Sequence, residues 1–256
     1  MRTNIQYLLT ISLVTALGGL LFGFDISVIS GTIPFIQDYF DLSETLKGWM
    51  VSSALLGCIL GASFAGRLGD IFGRKKVLLT TSVLFAASAI GTGLADSIPS
   101  FIFYRILGGV AVGGASVLSP MYIAEVSPPH LRGRMVSINQ LTIVLGISLA
   151  YYSNYFLLAT GENAWRWMFA AEAVPALVFL FSLFMIPESP RWLVARKRES
   201  EALEVLRRID DSPTASAELG EIRQSLEGAQ VRAVLKDVLP KKYRFVMMIG
   251  IFLAIF

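Results

Sequence analysis

Six stretches of this chain are apolar over lengths that can cross a lipid bilayer, and they constrain its fold more than any motif does. A transmembrane helix needs about 20 apolar residues, so each stretch predicts one span. With 54% hydrophobic and 16% charged residues, the 256-residue chain is too apolar for a soluble domain. We therefore predict an all-α membrane protein. The six runs lie at about 7–31, 48–66, 77–95, 101–124, 135–158 and 166–186.

The charge of the connectors predicts the orientation of the helices. Three connectors are rich in Arg and Lys, and the alternate ones are acidic or nearly neutral. Because Lys and Arg accumulate on the cytoplasmic side, we expect a multi-pass protein of a bacterial inner membrane with a cytoplasmic N-terminus. The net charge of +3 then reflects topology and does not indicate nucleic-acid binding. The basic connectors are 67–76, 130–134 and 191–198, and the others lie around Asp38, Asp96 and Glu162.

A change in composition predicts three regions along the chain. Residues 1–188 form the six-helix bundle, and residues 189–243 are charged, with apolar residues at helical spacing. The second region is interpreted as a cytoplasmic linker of two or three short helices, broken at Asp211-Ser212-Pro213. Residues 244–256 are apolar over about half the length of a span, so they predict the start of a truncated seventh helix.

Three charged residues lie within the apolar runs: Asp25, Arg105 and Glu172. Charges inside a membrane are costly and are functional candidates by default. Loss of hydration favours the protonated form of a carboxyl group, whereas a nearby arginine favours the ionised form. A carboxylate that moves toward and away from Arg105 would bind and release a proton. The alternative is a static ion pair that only holds helices together, and Arg105 with Glu172 is the pair we expect to be partly structural.

The segment Gly66–Lys76 combines glycines with basic residues between two apolar runs. Its glycines permit positive φ angles, and Asp70 can cap a helix or pair with a neighbouring arginine. We predict a tight cytoplasmic turn between two membrane helices. An ordinary positive-inside loop is the alternative, although it would require only the Arg and Lys residues.

Other conspicuous residues are interpreted as structural. Gly-x-x-x-Gly pairs let helix backbones approach closely. The single cysteine, Cys58, lies in an apolar run, and the single histidine, His130, lies in a Pro-rich connector. No nucleophile paired with a histidine can be identified, so we expect no enzyme, no cofactor and no metal site. The glycine pairs are Gly19/Gly23, Gly57/Gly61 and Gly109/Gly113.

Two amides, Asn139 and Gln140, lie early in the fifth run. An amide both donates and accepts hydrogen bonds, which suits a sugar hydroxyl. A hydrogen bond between helices is the alternative. Phe22 is a candidate for an apolar wall of the same site.

Three motifs in order resemble the sugar porter family of the major facilitator superfamily, over essentially the whole chain but only the amino-terminal half of the family. The resemblance implies two inverted three-helix repeats, packed against a second six-helix bundle around a sugar site at the midplane. It also implies a cytoplasmic charge network that controls gating. The motifs are Gly66–Lys76; Tyr104-Arg105 with Pro120–Glu125 and Arg132-Gly133-Arg134; and Pro187–Leu193. The network residues are Asp70, Arg74, Glu125, Arg132, Glu188 and Arg191.

The resemblance further implies roles for individual residues. In proton-coupled members an Asp follows Gly-aromatic, as Asp25 does here, whereas facilitative glucose carriers usually have an amide there. Gln140 matches a sugar-binding glutamine. Ile147 replaces a second glutamine that xylose symporters tend to carry, so the sequence is similar to a carrier for a hexose or polyol at least as much as one for a pentose.

We therefore expect the amino-terminal portion of a sugar:proton symporter, surrounded by membrane lipid, with a monosaccharide and a proton as its partners. The carboxy-terminal six-helix half is missing from the sequence, so this chain alone is expected to be inactive. The alternatives are a proton-independent sugar carrier, or a non-transporting half-carrier, sensor or assembly partner.

Overall fold

A computed structural model describes residues 3–228 and Met248. The last part of the predicted linker, 229–243, and the predicted seventh run except Met248 lie outside the described residues. Within them every regular element is a helix, which confirms the predicted all-α class. The elements are α1 Ile5–Phe40, α2 Glu44–Phe72, α3 Arg74–Gly93, α4 Ile98–Val126, α5 Arg132–Leu157, a 3₁₀ turn Leu158–Asn163, α6 Ala164–Ala171, α7 Ala173–Leu183, α8 Pro190–Ala195, α9 Glu199–Ile209 and α10 Ser212–Gly228.

The first seven α-helices contain the six predicted spans. Five segments of the described chain are long and apolar enough to cross a membrane, and the last of them, Arg132–Leu183, holds both the fifth and the sixth predicted runs. Gly161, with φ of +83°, interrupts the helical backbone between these two runs. The sixth span consists of α6 and α7, which meet at Glu172. The backbone of Glu172 keeps helical angles, with φ of −61° and ψ of −25°, but the regular hydrogen-bond pattern is interrupted there. Together α6 and α7 extend for about 30 Å at 1.5 Å per residue, enough for one crossing.

The helices pack as two inverted repeats. α1 packs mainly along α5, and α4 packs mainly along α2. The first repeat is α1–α3, and the second consists of α4, α5 and the α6–α7 pair. When α1 is matched with α4 and α2 with α5, the α1–α5 interface corresponds to the α4–α2 interface. Both depend on glycine: a Cβ on Gly57 would lie 3.0 Å from the Cα of Gly109, and one on Gly146 would lie 3.1 Å from the Cα of Leu20. The two interfaces therefore bring helix backbones into direct contact.

The predicted turn at Gly66–Lys76 is largely helical, which corrects the expectation of a ten-residue connector. α2 continues to Phe72 and α3 begins at Arg74, so only Gly73 lies between them, with φ of +100°. Glycine accepts this angle at no steric cost. The first apolar run is also part of a longer helix, since α1 continues through Pro34 to Phe40.

The bundle has two distinguishable ends. We call the end with the α2–α3 and α4–α5 connections the basic end, and the opposite end, with the α1–α2 and α3–α4 connections, the acidic end. Helices α8–α10 pack at the basic end, where the N–H of Asn4 donates to the carbonyl of Ile209 at 2.7 Å. Trp192 and Ile209 belong to the same buried apolar cluster as Leu8 and Tyr122 of the spans. The amphipathic segment therefore shares its core with the bundle.

Candidate functional site

The three intramembrane charges come together in the interior of the bundle. Asp25 lies on α1, Arg105 on α4 and Glu172 at the junction of α6 and α7. Their exposed fractions are only 2%, 3% and 2%. A guanidinium nitrogen of Arg105 donates to Asp25 in an ion pair that joins positions 80 residues apart. The fold thus places two carboxyl groups and one guanidinium in a dry environment.

Hydrogen bonding in this cluster is incomplete. Among the described residues, Nε of Arg105 and Oε1 of Glu172 are buried and have no hydrogen-bond partner. Glu172 is close enough to interact electrostatically with both Asp25 and Arg105. The guanidinium also lies over the ring of Phe169, 5.3 Å from its centroid, which provides a cation–π contact. The cluster therefore holds two acids and one cation, and only Asp25 forms an ion pair with that cation.

Close helix packing explains how the charges reach one another. Gly23 lies two residues before Asp25, and a Cβ at this position would be 3.1 Å from the backbone nitrogen of Ile147. On α4, Gly108 and Gly109 follow Arg105 and pack against Ser88 and Ala54. A larger side chain at these glycines would force the helices apart.

The residues expected to bind sugar occupy different environments. Gln140 is exposed, whereas Phe22 and Ile147 are half-buried, with Phe22 packed against the apolar core. Gln140 and Ile147 are seven residues apart on α5 and so lie on one side of this helix. Asn139 is buried and faces Gly19 of α1. The two neighbouring amides thus point in different directions.

Sequence reasoning missed further polar residues on the buried side of α5. Thr142 donates to the carbonyl of Ala16 at 2.7 Å, and Asn154 donates to the carbonyl of Val28 at 3.1 Å. They share the buried side with Asn139, Gly146 and Ala150. The helical spacing of these positions is the signal that could have identified them.

A second charge cluster lies at the basic end, where Arg74 is the central residue. Its Nε and Nη2 donate to the two carboxylate oxygens of Glu125 at 3.0 and 2.9 Å. Nη1 donates to the carbonyl of Gly69 at 2.9 Å, and Asp70 pairs with the same guanidinium at 2.8 Å. Glu125 also accepts from the hydroxyl of Ser189 at 2.5 Å. We call Asp70, Arg74, Glu125 and Ser189 the basic-end network.

Glu188 lies beside this network and caps the start of α3. Its carboxylate accepts from the backbone N–H groups of Lys75 and Ser189, at 3.1 and 2.9 Å. Arg132 and Arg191 are exposed, and Arg132 makes only a long bond of 3.5 Å to the carbonyl of Ser127. The fold therefore gathers Asp70, Arg74, Glu125 and Glu188, while two of the six predicted residues stay at the surface.

Trp192 in the third motif and Arg196 just after it contribute contacts that the sequence did not predict. The indole N–H of Trp192 donates to the carbonyl of Asp70 at 3.0 Å, and Arg196 donates to the carbonyls of Asp70 and Ile71. They satisfy carbonyl groups at the C-terminal end of α2, which have no partner within the helix. Within residues 3–228, no group of three His, Cys, Asp or Glu side chains could hold a metal ion.

Comparison with known proteins identifies the family. The model of the family described as "Sugar (and other) transporter" matches residues 11–256. The D-xylose-proton symporter of Escherichia coli is 42% identical over 88% of this chain and 52% of its own length. The arabinose-proton symporter of Bacillus subtilis is 40% identical over 99% of this chain and 56% of its own length. The chain spans about half the length of these relatives.

Solved structures give the same result for the fold. A structure of the proton:xylose symporter XylE bound to 6-bromo-6-deoxy-D-glucose has a TM-score of 0.86 and 41% identity, over 90% of this chain and 55% of that one. A partially occluded inward-open form of XylE gives a TM-score of 0.87 at 40% identity, over 97% and 63% of the two chains. The architecture is that of a multi-pass membrane transporter of the major facilitator superfamily. The chain belongs to the sugar transporter family.

Proposed function

We propose that these residues form the amino-terminal half of a sugar:proton symporter that works by alternating access. The observation that carries this proposal is the buried cluster in which Arg105 pairs with Asp25 while Glu172 lies near both. Two symporters among the relatives, named for D-xylose and arabinose, support it.

The cluster suggests how a proton controls the charge balance. When Asp25 is ionised, it pairs with Arg105. When Asp25 takes up a proton, it becomes neutral and loses this attraction. Glu172 is then the nearby carboxylate that holds the guanidinium, so Arg105 never remains as an isolated buried charge. Movement of Arg105 between the two acids would link protonation to a change in helix packing.

The substrate we propose is a monosaccharide or polyol, bound with a contribution from Gln140 and Phe22. The relatives named for D-xylose, arabinose, galactose and myo-inositol support this class. Gln140 is exposed on the bundle, so its amide is available to a ligand or to another part of the carrier. Ile147 would replace a polar contact with an apolar one, so we propose a hexose or polyol as a substrate at least as readily as a pentose.

We propose that the basic end faces the cytoplasm, because it carries the Arg- and Lys-rich connectors. The bundle of residues 1–188 would then be followed by cytoplasmic helices within 189–243. In this arrangement a charge network stabilises the outward-facing state of the carrier. Its members are Asp70, Arg74, Glu125, Arg132, Glu188 and Arg191. A few charge pairs are sufficient to bias states that differ by a few kcal/mol.

The test is Asp25→Asn in the complete protein encoded by the gene that contains this sequence. In cells without their own uptake system, sugar exchange should persist while uphill accumulation is lost, because the amide cannot bind the proton. The matched control is Asp96→Asn, which neutralises a carboxylate that is 86% exposed and paired with Arg166 at the acidic end. Accumulation that survives Asp25→Asn would remove Asp25 as the coupling group.

External pH measured during sugar addition separates the symporter from the two alternatives. A symporter makes the medium more alkaline, whereas a proton-independent carrier moves labelled sugar with no change in pH. Sugar binding without any flux would instead favour a sensor or assembly partner.

A further inference from the structure

The regular α-helical hydrogen bonding of the sixth span is interrupted at a titratable residue, Glu172. α6 ends at Ala171 and α7 begins at Ala173, with Glu172 between them. The N–H of Glu172 donates to the carbonyl of Phe169, three residues back, at 3.0 Å. The next turn is an ordinary helical one, since Ala176 donates to the carbonyl of Glu172, four residues back, at 3.2 Å. The backbone is therefore tightened for one turn at Glu172.

Pro175 contributes to this interruption through its covalent structure. In a continuous helix, residue 175 would donate its N–H to the carbonyl of Ala171. Proline has no N–H, and its ring collides with this carbonyl. The break is thus placed three residues before Pro175, at the position of the carboxyl group.

Two other prolines within the spans provide a comparison. Pro34 lies inside α1 and Pro120 lies inside α4, yet both of these helices continue through their proline. Of these three prolines, only Pro175 is associated with a split in its span, and only its split coincides with a member of the buried cluster.

The tightened turn aligns two side chains with Arg105. In a turn with three-residue hydrogen bonds, side chains at i and i+3 are eclipsed rather than offset. Phe169 and Glu172 are such a pair, so both are directed to the same side of the helix. Phe169 lies under the guanidinium of Arg105, and Glu172 interacts with its charge. A continuous α-helix would rotate the two side chains apart.

If Glu172 moved, its electrostatic interactions with the neighbouring charged and titratable groups would change. Asp25 approaches from α1, Arg105 from α4, and Cys58 of α2 interacts with both of these charges. On α5, Tyr152 lines an apolar crevice with Ala171 and Pro175. The buried residues of α3 between 77 and 93 are apolar, Ser, Thr or Gly.

We infer that Pro175 is a positioning residue of the coupling site: by interrupting the sixth span at Glu172, it holds this carboxyl group beside Asp25 and Arg105. The inference rests on the proposed function, because it assigns Pro175 an effect on coupling that acts through Glu172. Pro175 itself binds neither the proton nor the sugar.

The experiment is Pro175→Ala in the complete carrier, which restores the N–H and permits a continuous helix. Sugar exchange is measured as a function of pH, alone and in a Glu172→Gln background. We expect the midpoint of the pH profile to move by about one pH unit or more, the size of effect produced when a charged neighbour is displaced. In the Glu172→Gln background Pro175→Ala should cause no further shift. Pro34→Ala and Pro120→Ala are the controls and should leave the profile unchanged.

The outcomes separate the inference from the proposed function. If Glu172→Gln alters the profile but Pro175→Ala does not, the positioning role is wrong while the function stands. An equal shift in both backgrounds would show that Pro175 acts by another route. If Glu172→Gln has no effect on the profile, the coupling role of Glu172 and this inference fail together. Should Pro175→Ala not reach the membrane, Pro175→Ser restores the same N–H and is judged by the same criteria.

Discussion

The buried cluster inside the membrane and the basic-end network both centre on an arginine, but they satisfy it differently. Arg74 donates to both oxygens of Glu125 and to a backbone carbonyl, and Asp70 pairs with it as well. Arg105 donates to Asp25, and its Nε has no partner among the described residues. The arginine inside the bundle therefore has fewer hydrogen-bond partners than the one at its basic end.

This difference in hydrogen bonding indicates that the two charge clusters have different roles. A fully hydrogen-bonded pair holds elements in one arrangement, and its geometry is specific because the guanidinium and carboxylate are matched. An incompletely satisfied cluster is costly to bury and has more than one way to pair its members. We therefore interpret the basic-end network as a clamp that stabilises one state of the carrier, and the membrane cluster as the place where protonation changes the pairing.

The largest effect should come from Arg105→Ala, which leaves Asp25 and Glu172 buried without their cation. Removing one member of a buried pair typically costs about 3–5 kcal/mol, so we expect a strong loss of thermal stability in detergent and no accumulation. Arg105→Lys is the matched control, because it keeps the charge and should recover part of the stability. A melting temperature of Arg105→Ala close to that of the parent protein would contradict the description of the cluster.

A smaller effect is expected from Glu125→Gln at the basic end. Hydrogen bonds to charged groups contribute about 1.5–3 kcal/mol, and an amide can replace only part of the bidentate pair. Stability should fall by less than in Arg105→Ala, and the pH midpoint of sugar exchange should not move. Asp70→Asn is the control, since Asp70 is 69% exposed and such pairs contribute at most about 1 kcal/mol. Equal losses in the two variants would show that the buried pair has no special role.

The smallest effect concerns Glu218 on α10, outside the spans. Burial, and then the charge of Asp210, raises the pKa of this carboxyl above its ordinary value of 4.5, while Arg132 opposes the change. The folded state therefore binds this proton more tightly than the unfolded state does, and stability falls as the pH rises through the folded-state pKa. Glu218→Gln should slightly raise the melting temperature at pH 7, and this gain should disappear below about pH 4.5. Glu227→Gln is the control, since Glu227 also lies on α10 but its side chain is 70% exposed. A gain that does not depend on pH would contradict this assignment.

Much of the fold could be predicted from apolar runs, because a bilayer demands helices of a certain length. The predicted ends of the helices were less accurate than their predicted number. The segment Gly66–Lys76 looked like a connector because it is polar, yet all of it except Gly73 is helical. Polarity identifies residues that leave the membrane, but a helix continues into the interface wherever its carbonyls find partners, as those of Asp70 and Ile71 do with Arg196.

The candidate site could be predicted only as a set of residues. Asp25, Arg105 and Glu172 were conspicuous because charge is rare in apolar runs. The sequence favoured Glu172 as the structural partner of Arg105, whereas the ion pair is formed with Asp25, since residues 25, 105 and 172 meet only after three spans have packed. The same holds for Asn139, which faces α1, and its neighbour Gln140, which is exposed.

The sequence alone determined the class of protein, the number of spans and the charged residues within them, because these follow from the local cost of placing each side chain in a bilayer. The tertiary structure decided the partner of each charge, the contacts of Trp192 and Arg196 with α2, and the orientation of Glu172 at the split sixth span. These features depend on the distances between elements remote in sequence, which the packing of glycine against backbone sets.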